Sequence, residues 1–129
     1  MYCLMTTHYH LVVETPRGDL DRGMHSLNAC YAQSFNRRRE RFGHLFAERF
    51  HSRLVTTEEH MLGVVRYVAN NPVEAGLCTA PQDWVWSSYA ATVGLAPAPA
   101  FLAVDELLRN FGRSRATARR RLRSFVEET

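Results

Sequence analysis

The chain has 129 residues, 46% of them hydrophobic, and a formal net charge of +3. That is enough apolar material for one domain with a real core, which excludes both a disordered chain and a pair of large domains. No apolar run approaches about 18 residues, and no basic start leads into an apolar stretch, so neither a membrane-spanning helix nor a secretory signal is expected.

Residues 2–14, "YCLMTTHYHLVVE", read as strand. Cys3, Met5, Tyr9, Leu11 and Val13 occupy odd positions; His8 and His10 occupy even ones. Alternation therefore assigns both histidines to one face and the apolar set, Cys3 included, to the other. Thr6-Thr7 can form a turn between two short strands without changing the relation of His8 to His10. The loop "TPRGDLD" follows. Residues 20–41 then read as a helix with Met24, Leu27, Ala32 and Phe35 as its buried stripe. It ends in Arg37-Arg38-Arg39-Glu40-Arg41, Gly43 breaks it, and "HLFAERFHSRLV" reads as a strand.

The next helix has the clearest pattern. Thr56 and Glu59 are spaced as a capping box. Met61, Leu62, Val65, Val68 and Ala69 make one apolar face, and His60, Gly63, Tyr67 and Asn71 make another stripe at spacings of three and four. Pro72 is expected to end the helix. "VEAGL" and "PQDWVWSSYAA" lead to a Pro/Ala linker at 95–100, and two short helices fill 102–128, broken near Gly112-Arg113-Ser114. The expected organisation is a main domain over 1–94, the linker, and a helical tail over 101–129.

All 16 basic residues are arginine. Six fall between Arg37 and Arg53 and seven between Arg109 and Arg123, the latter with no acid among them. Guanidinium suits bidentate phosphate contacts, so the two clusters point to nucleic acid. A solvated face is the plainer reading of either cluster alone. Three widely spaced cysteines, Cys3, Cys30 and Cys78, fit neither a disulfide framework nor a zinc ribbon and read as reduced, mostly buried thiols of a cytoplasmic protein.

Two histidines on one strand face can both ligate a metal, with a third ligand normally needed. Taken alone, the pair fits ordinary half-exposed histidines as well. A tyrosine and an amide one helical turn apart, Tyr67 and Asn71, point the same way and make a candidate partner stripe. Packing of Tyr67 at a seam and capping by Asn71 is the alternative. Tyr89, beside Trp84 and Trp86, looks like aromatic packing and is the one rival nucleophile; Tyr9 reads as core, and Tyr2 and Tyr31 as packing or nucleic-acid contacts.

The stretches "YCLMTTHYHLVVETP", "LNACYAQSFNRRRERFGHLFAERFHSRLV", "RYVANNPVEAGL" and "WVWSSYAA" resemble the REP-associated tyrosine transposases, HUH endonucleases of the single-tyrosine insertion-sequence type. The resemblance covers most of residues 2–91, and the tail "LLRNFGRSRATARRRLRSFVEE" resembles the family's C-terminal extension less sharply. It implies an α+β, ferredoxin-like (RRM-like) HUH fold with an antiparallel sheet. It also implies that His8 and His10, with Asn71, bind a divalent metal, Mg²⁺ or Mn²⁺, and that Tyr67 is the nucleophile. Tyrosine attack on a phosphodiester would give a 5′-phosphotyrosine link, so that strands are nicked and rejoined without ATP. Phenol ionises only near pH about 10, so such attack needs activation. The implied partner is single-stranded DNA with a palindromic hairpin, and the implied setting is the bacterial nucleoid, as monomer or homodimer.

Arginines would grip that DNA: Arg37, Arg38, Arg39, Arg41, Arg49, Arg53 and Arg66, with Arg113, Arg115, Arg119, Arg120, Arg121 and Arg123 in the tail. "GRSRATARRRL" also has the rhythm of a helix-turn-helix recognition helix, capped by Ser114 or Thr117. The sequence departs from the family at Thr6-Thr7, where Pro-Asn is usual. Family members also begin with a further strand and helix before the "YCLM" stretch, so the expected fold lacks these two elements. A late start codon, a truncated remnant and pairing with another copy compete to explain this. The rivals to an active enzyme are a DNA-binding derivative without catalysis and a small zinc or structural protein using His8 and His10.

Overall fold

The structure is a computed structural model that describes residues 1–128. It is α+β: a two-stranded antiparallel sheet, β1 (Tyr2–Leu4) and β2 (Tyr9–Leu11), with helices α1 (Leu20–Arg38), α2 (Glu58–Glu74), α3 (Tyr89–Thr92), α4 (Val104–Leu108) and α5 (Arg115–Glu127). A 3₁₀ turn spans Pro81–Asp83. Among the described residues no helix is long and apolar enough to cross a membrane. The chain divides into two compact units. One is Met1–Val13 with the chain from Val55 onward; the other is Glu14–Leu54.

In the first unit, Thr6 and Thr7 form the turn of a hairpin. Cys3 pairs with His10, Tyr2 with Leu11 and Leu4 with Tyr9. Residues directly opposite in an antiparallel pair share a face. Cys3 therefore lies on the histidine face, not on the opposite face that unbroken alternation assigns it; the turn resets the phase between the two strands. On its other side β1 is held by residues 86–88. Leu4 N–H donates to Trp86 O, Ser88 N–H donates to Tyr2 O, and the Trp84 indole N–H donates to Leu4 O at 2.9 Å.

Helix α2 starts at Thr57, whose hydroxyl accepts from His60 N–H at 3.1 Å, one residue later than the expected Thr56 cap. Glu58 and Glu59 in its first turn complement the helix dipole. Val65, Val68 and Ala69 are buried, with Met61 and Leu62 packed partly against the core, so the expected apolar face is the one the helix buries. Pro72 does not end the helix. It forfeits one N–H bond inside it, its ring is buried, and the helix runs on to Glu74. The end comes at Gly76, at φ +70°, where Leu77 N–H donates to Pro72 O and Gly76 N–H to Val73 O. That left-handed closure is what glycine permits.

The helices beyond the Pro/Ala stretch belong to the same core. Val65, Ala69, Tyr89 and Val93 pack with Val104, Leu108, Phe111, Ala118, Leu122 and Val126, and Leu107 and Phe125 pack partly against them. Ser114 caps α5 by accepting from Thr117 N–H, and Ala118, Leu122 and Val126 form its buried stripe at intervals of four. Cys3 is buried, Cys30 exposed and Cys78 half-buried, so burial of the thiols holds for one of the three.

The second unit is α1 and an irregular segment. Met24 is buried on α1, and Ala32 and Phe35 are half-buried, but Leu27 is 51% exposed. The expected strand over 44–55 is absent; among the described residues no strand partner offers it a ladder, and an unpaired strand cannot satisfy its backbone. Helix α1 stops at Arg38, short of the expected 41. Glu40 takes φ +50°, Glu40 N–H donates to Arg37 O, and Arg41 N–H donates to Asn36 O, the same closure that ends α2 but without glycine.

Candidate functional site

The hairpin turn brings His8 to the lip of the sheet and His10 into it. Met5 N–H donates to His8 O at 2.8 Å, and the Thr7 hydroxyl lies 3.2 Å from His8 Nδ1. Two residues apart on an extended chain, the imidazoles face the same side, with ring centroids 5.0 Å apart and planes near perpendicular. Helix α2 packs on β1, and its Tyr67 ring stands edge-on to His10 with centroids 5.2 Å apart. Asn71, one turn on, lies beside His10. The four residues His8, His10, Tyr67 and Asn71 are thus brought together, drawn from two elements whose mutual packing is fixed by the core.

Burial lowers the pKa of His10, the neighbouring His8 lowers it further, and the Asn71 side chain works the other way. The ring is therefore neutral at physiological pH. Its Nε2 is buried and makes no hydrogen bond with a protein group. A buried nitrogen of a neutral imidazole, left without a protein partner, is chemically suited to ligate a metal. Among the described residues no three His, Cys, Asp or Glu side chains cluster as a metal site. The donor set here is two imidazoles and an amide oxygen, which fits a divalent cation that keeps water or substrate oxygens in its remaining positions. Tyr67 is 50% exposed, in contrast to the fully buried Tyr89.

Tyr89 cannot play that part. It is fully buried, its hydroxyl has no hydrogen-bond partner, and burial with the nearby Glu127 pushes its pKa up to about 12. The half-buried Tyr9 is on the opposite face of β2 from the histidines; Tyr2 packs on Phe101 and Tyr31 on Phe35 and Phe46.

The arginines divide by use. Arg66 reaches back to α5: its guanidinium donates twice to Phe125 O, by Nε at 2.8 Å, and lies 3.9 Å over the Phe125 ring. Arg115 makes a bidentate pair with Asp105, Arg119 donates to Thr92 O, Arg121 to Phe111 O, and Arg123 pairs with Glu127. These five side chains are tied into the fold. Arg113 and Arg120 are exposed, and Arg119, Arg120 and Arg123 together line a shallow depression with Ser124 and Glu127. In the second unit, Arg37, Arg38, Arg39, Arg41, Arg49 and Arg53 are all exposed; Arg49 pairs with Asp21 at 2.9 Å. Two features escape the sequence pattern. Cys3 sits across from His10, which only the hairpin register reveals, and Phe42 stands almost wholly in solvent.

No protein-family model, curated protein or solved structure matches the chain.

Proposed function

We propose that the chain is a metal-dependent tyrosine transposase of the HUH kind, acting on single-stranded DNA with a hairpin, and that its α+β unit belongs to a ferredoxin-like HUH fold. One observation carries the reading: His8, His10, Tyr67 and Asn71 meet in one place, on a sheet and a helix, with a buried imidazole nitrogen left without a protein partner.

In this reading His8, His10 and Asn71 hold Mg²⁺ or Mn²⁺, which when bound supplies Lewis-acid polarisation of the scissile phosphate. The Tyr67 hydroxyl oxygen attacks phosphorus. The new bond joins the phenol oxygen to the 5′-phosphate, the bond from phosphorus to the 3′-oxygen breaks, and the 3′-hydroxyl leaves with the proton. The ester is conserved in the phosphotyrosine, so a second strand's 3′-hydroxyl can reverse the step. Core packing on one side of α2 and exposure on the other let the helix present Tyr67 on a rigid support. Arg37, Arg38, Arg39, Arg41, Arg53, Arg113 and Arg120 are among the exposed arginines that could contact the DNA backbone.

The test is capture of a labelled hairpin strand as a covalent adduct in Mg²⁺ or Mn²⁺. Wild type should form it, and Tyr67→Phe should abolish it while binding the strand within a few-fold. An adduct that survives in Tyr67→Phe sinks the assignment; strand binding with no adduct in wild type marks a DNA-binding protein without catalysis.

A further inference from the structure

We infer that Phe42 is a stacking platform for an unpaired base, with Arg39 and Arg41 placed to take the phosphates on either side; the inference rests on the nucleic-acid reading above and names the residue that would hold the strand.

Phe42 is 97% exposed, more than any other large apolar side chain described. A solitary phenyl ring in water contributes nothing to a core, and its setting is the most basic part of its unit: "RRRERFGHLFAERFHSR" carries six arginines against two acids. The ring is not on a loose loop. Glu40 at φ +50° and Gly43 at φ +90° bracket it. The Asn36 amide donates to Gly43 O at 2.9 Å, while Arg41 N–H donates to Asn36 O. Asn36 thus clamps the turn from both ends and holds Phe42 outward.

The flanking guanidiniums are also held. Arg39 and Arg41 place their guanidinium carbons 5.8 and 5.9 Å from the centroid of the Phe35 ring, within the range of a cation–π contact. Two cations are therefore anchored within a few residues of an exposed aromatic face. Such interleaving of aromatic and basic side chains is how single-stranded nucleic acid is bound: each base offers a π-face, each linkage a negative charge. A duplex hides its base faces by stacking, so the geometry favours an unpaired strand.

The probe is a fluorescein-labelled oligonucleotide of about ten nucleotides, within the usual site size, bound to the full chain in chelator so that no cleavage intervenes. Phe42→Ala should weaken binding by about ten-fold or more, the usual effect of losing one stacked base, and Arg39→Ala should lower the salt slope by about 0.7. Phe42→Trp should retain affinity, its indole fluorescence quenched by the strand. An oligonucleotide with abasic positions should bind wild type and Phe42→Ala equally. Unchanged affinity in Phe42→Ala, or a loss that persists on the abasic strand, overturns the stacking assignment and leaves the transposase reading intact if the Tyr67 adduct still forms. Failure of wild type to bind any strand overturns both.

Discussion

Tyr89→Phe should make the protein more stable. The ring is fully buried among Val65, Ala69, Val93 and the α5 stripe, yet its hydroxyl finds no partner there. Burying an unpaired polar group costs about 1–3 kcal/mol. Removing it leaves a gap one oxygen wide, whose lost contacts offset less than about 1 kcal/mol. The expected net gain is about 1 kcal/mol, which for a chain of this size raises Tm by about 4 °C. The pH dependence supplies a second readout. Burial raises the folded pKa to about 12 from the ordinary value of 10.0, so the native state keeps its proton where the unfolded state loses it. Stability is therefore independent of this group below pH about 10 and falls as pH climbs towards about 12; Tyr89→Phe should flatten that part of the profile. Urea unfolding across the pH range measures both. A loss of 1 kcal/mol or more in the variant would mean that the hydroxyl is bonded to a buried water, and the reasoning fails.

His10→Ala should abolish Mn²⁺ binding measured by calorimetry if the buried, orphaned Nε2 serves as a ligand as proposed; equal affinity in the two proteins refutes the ligand assignment. Arg66→Ala should cost about 2–4 kcal/mol, from its charge-assisted bonds to Phe125 O and its stack on the Phe125 ring. A stability change under about 0.5 kcal/mol, the ordinary size for a surface substitution, together with weaker DNA binding, would restore Arg66 to the DNA contacts.

The helices whose faces repeat at three and four were legible: Met61, Leu62, Val65, Val68 and Ala69 bury together because a single face carries them. So was the proximity of His8 to His10, since alternation fixes it locally. The face of Cys3 was not, because it depends on the register across a turn. The strand expected over 44–55 had the composition of a strand and no partner, and pairing is a property of the whole sheet. Pro72 misled because its ring is buried in the core, which outweighs one missing hydrogen bond. Charge is visible in a sequence, but whether a guanidinium stands free or, like those of Arg66 and Arg119, closes a backbone carbonyl is decided by packing.

Helix α2 is a party wall. One side carries Tyr67 and Asn71; the other, through Val65 and Ala69, shares a core with Ala118, Leu122 and Val126 of α5. A shortened chain ending after Gly94 would not be the same unit minus a tail. It would present a raw apolar surface directly behind Tyr67, and sticky surfaces of that kind recruit other chains and draw proteases. The last helix, whatever it touches outside, keeps the wall standing.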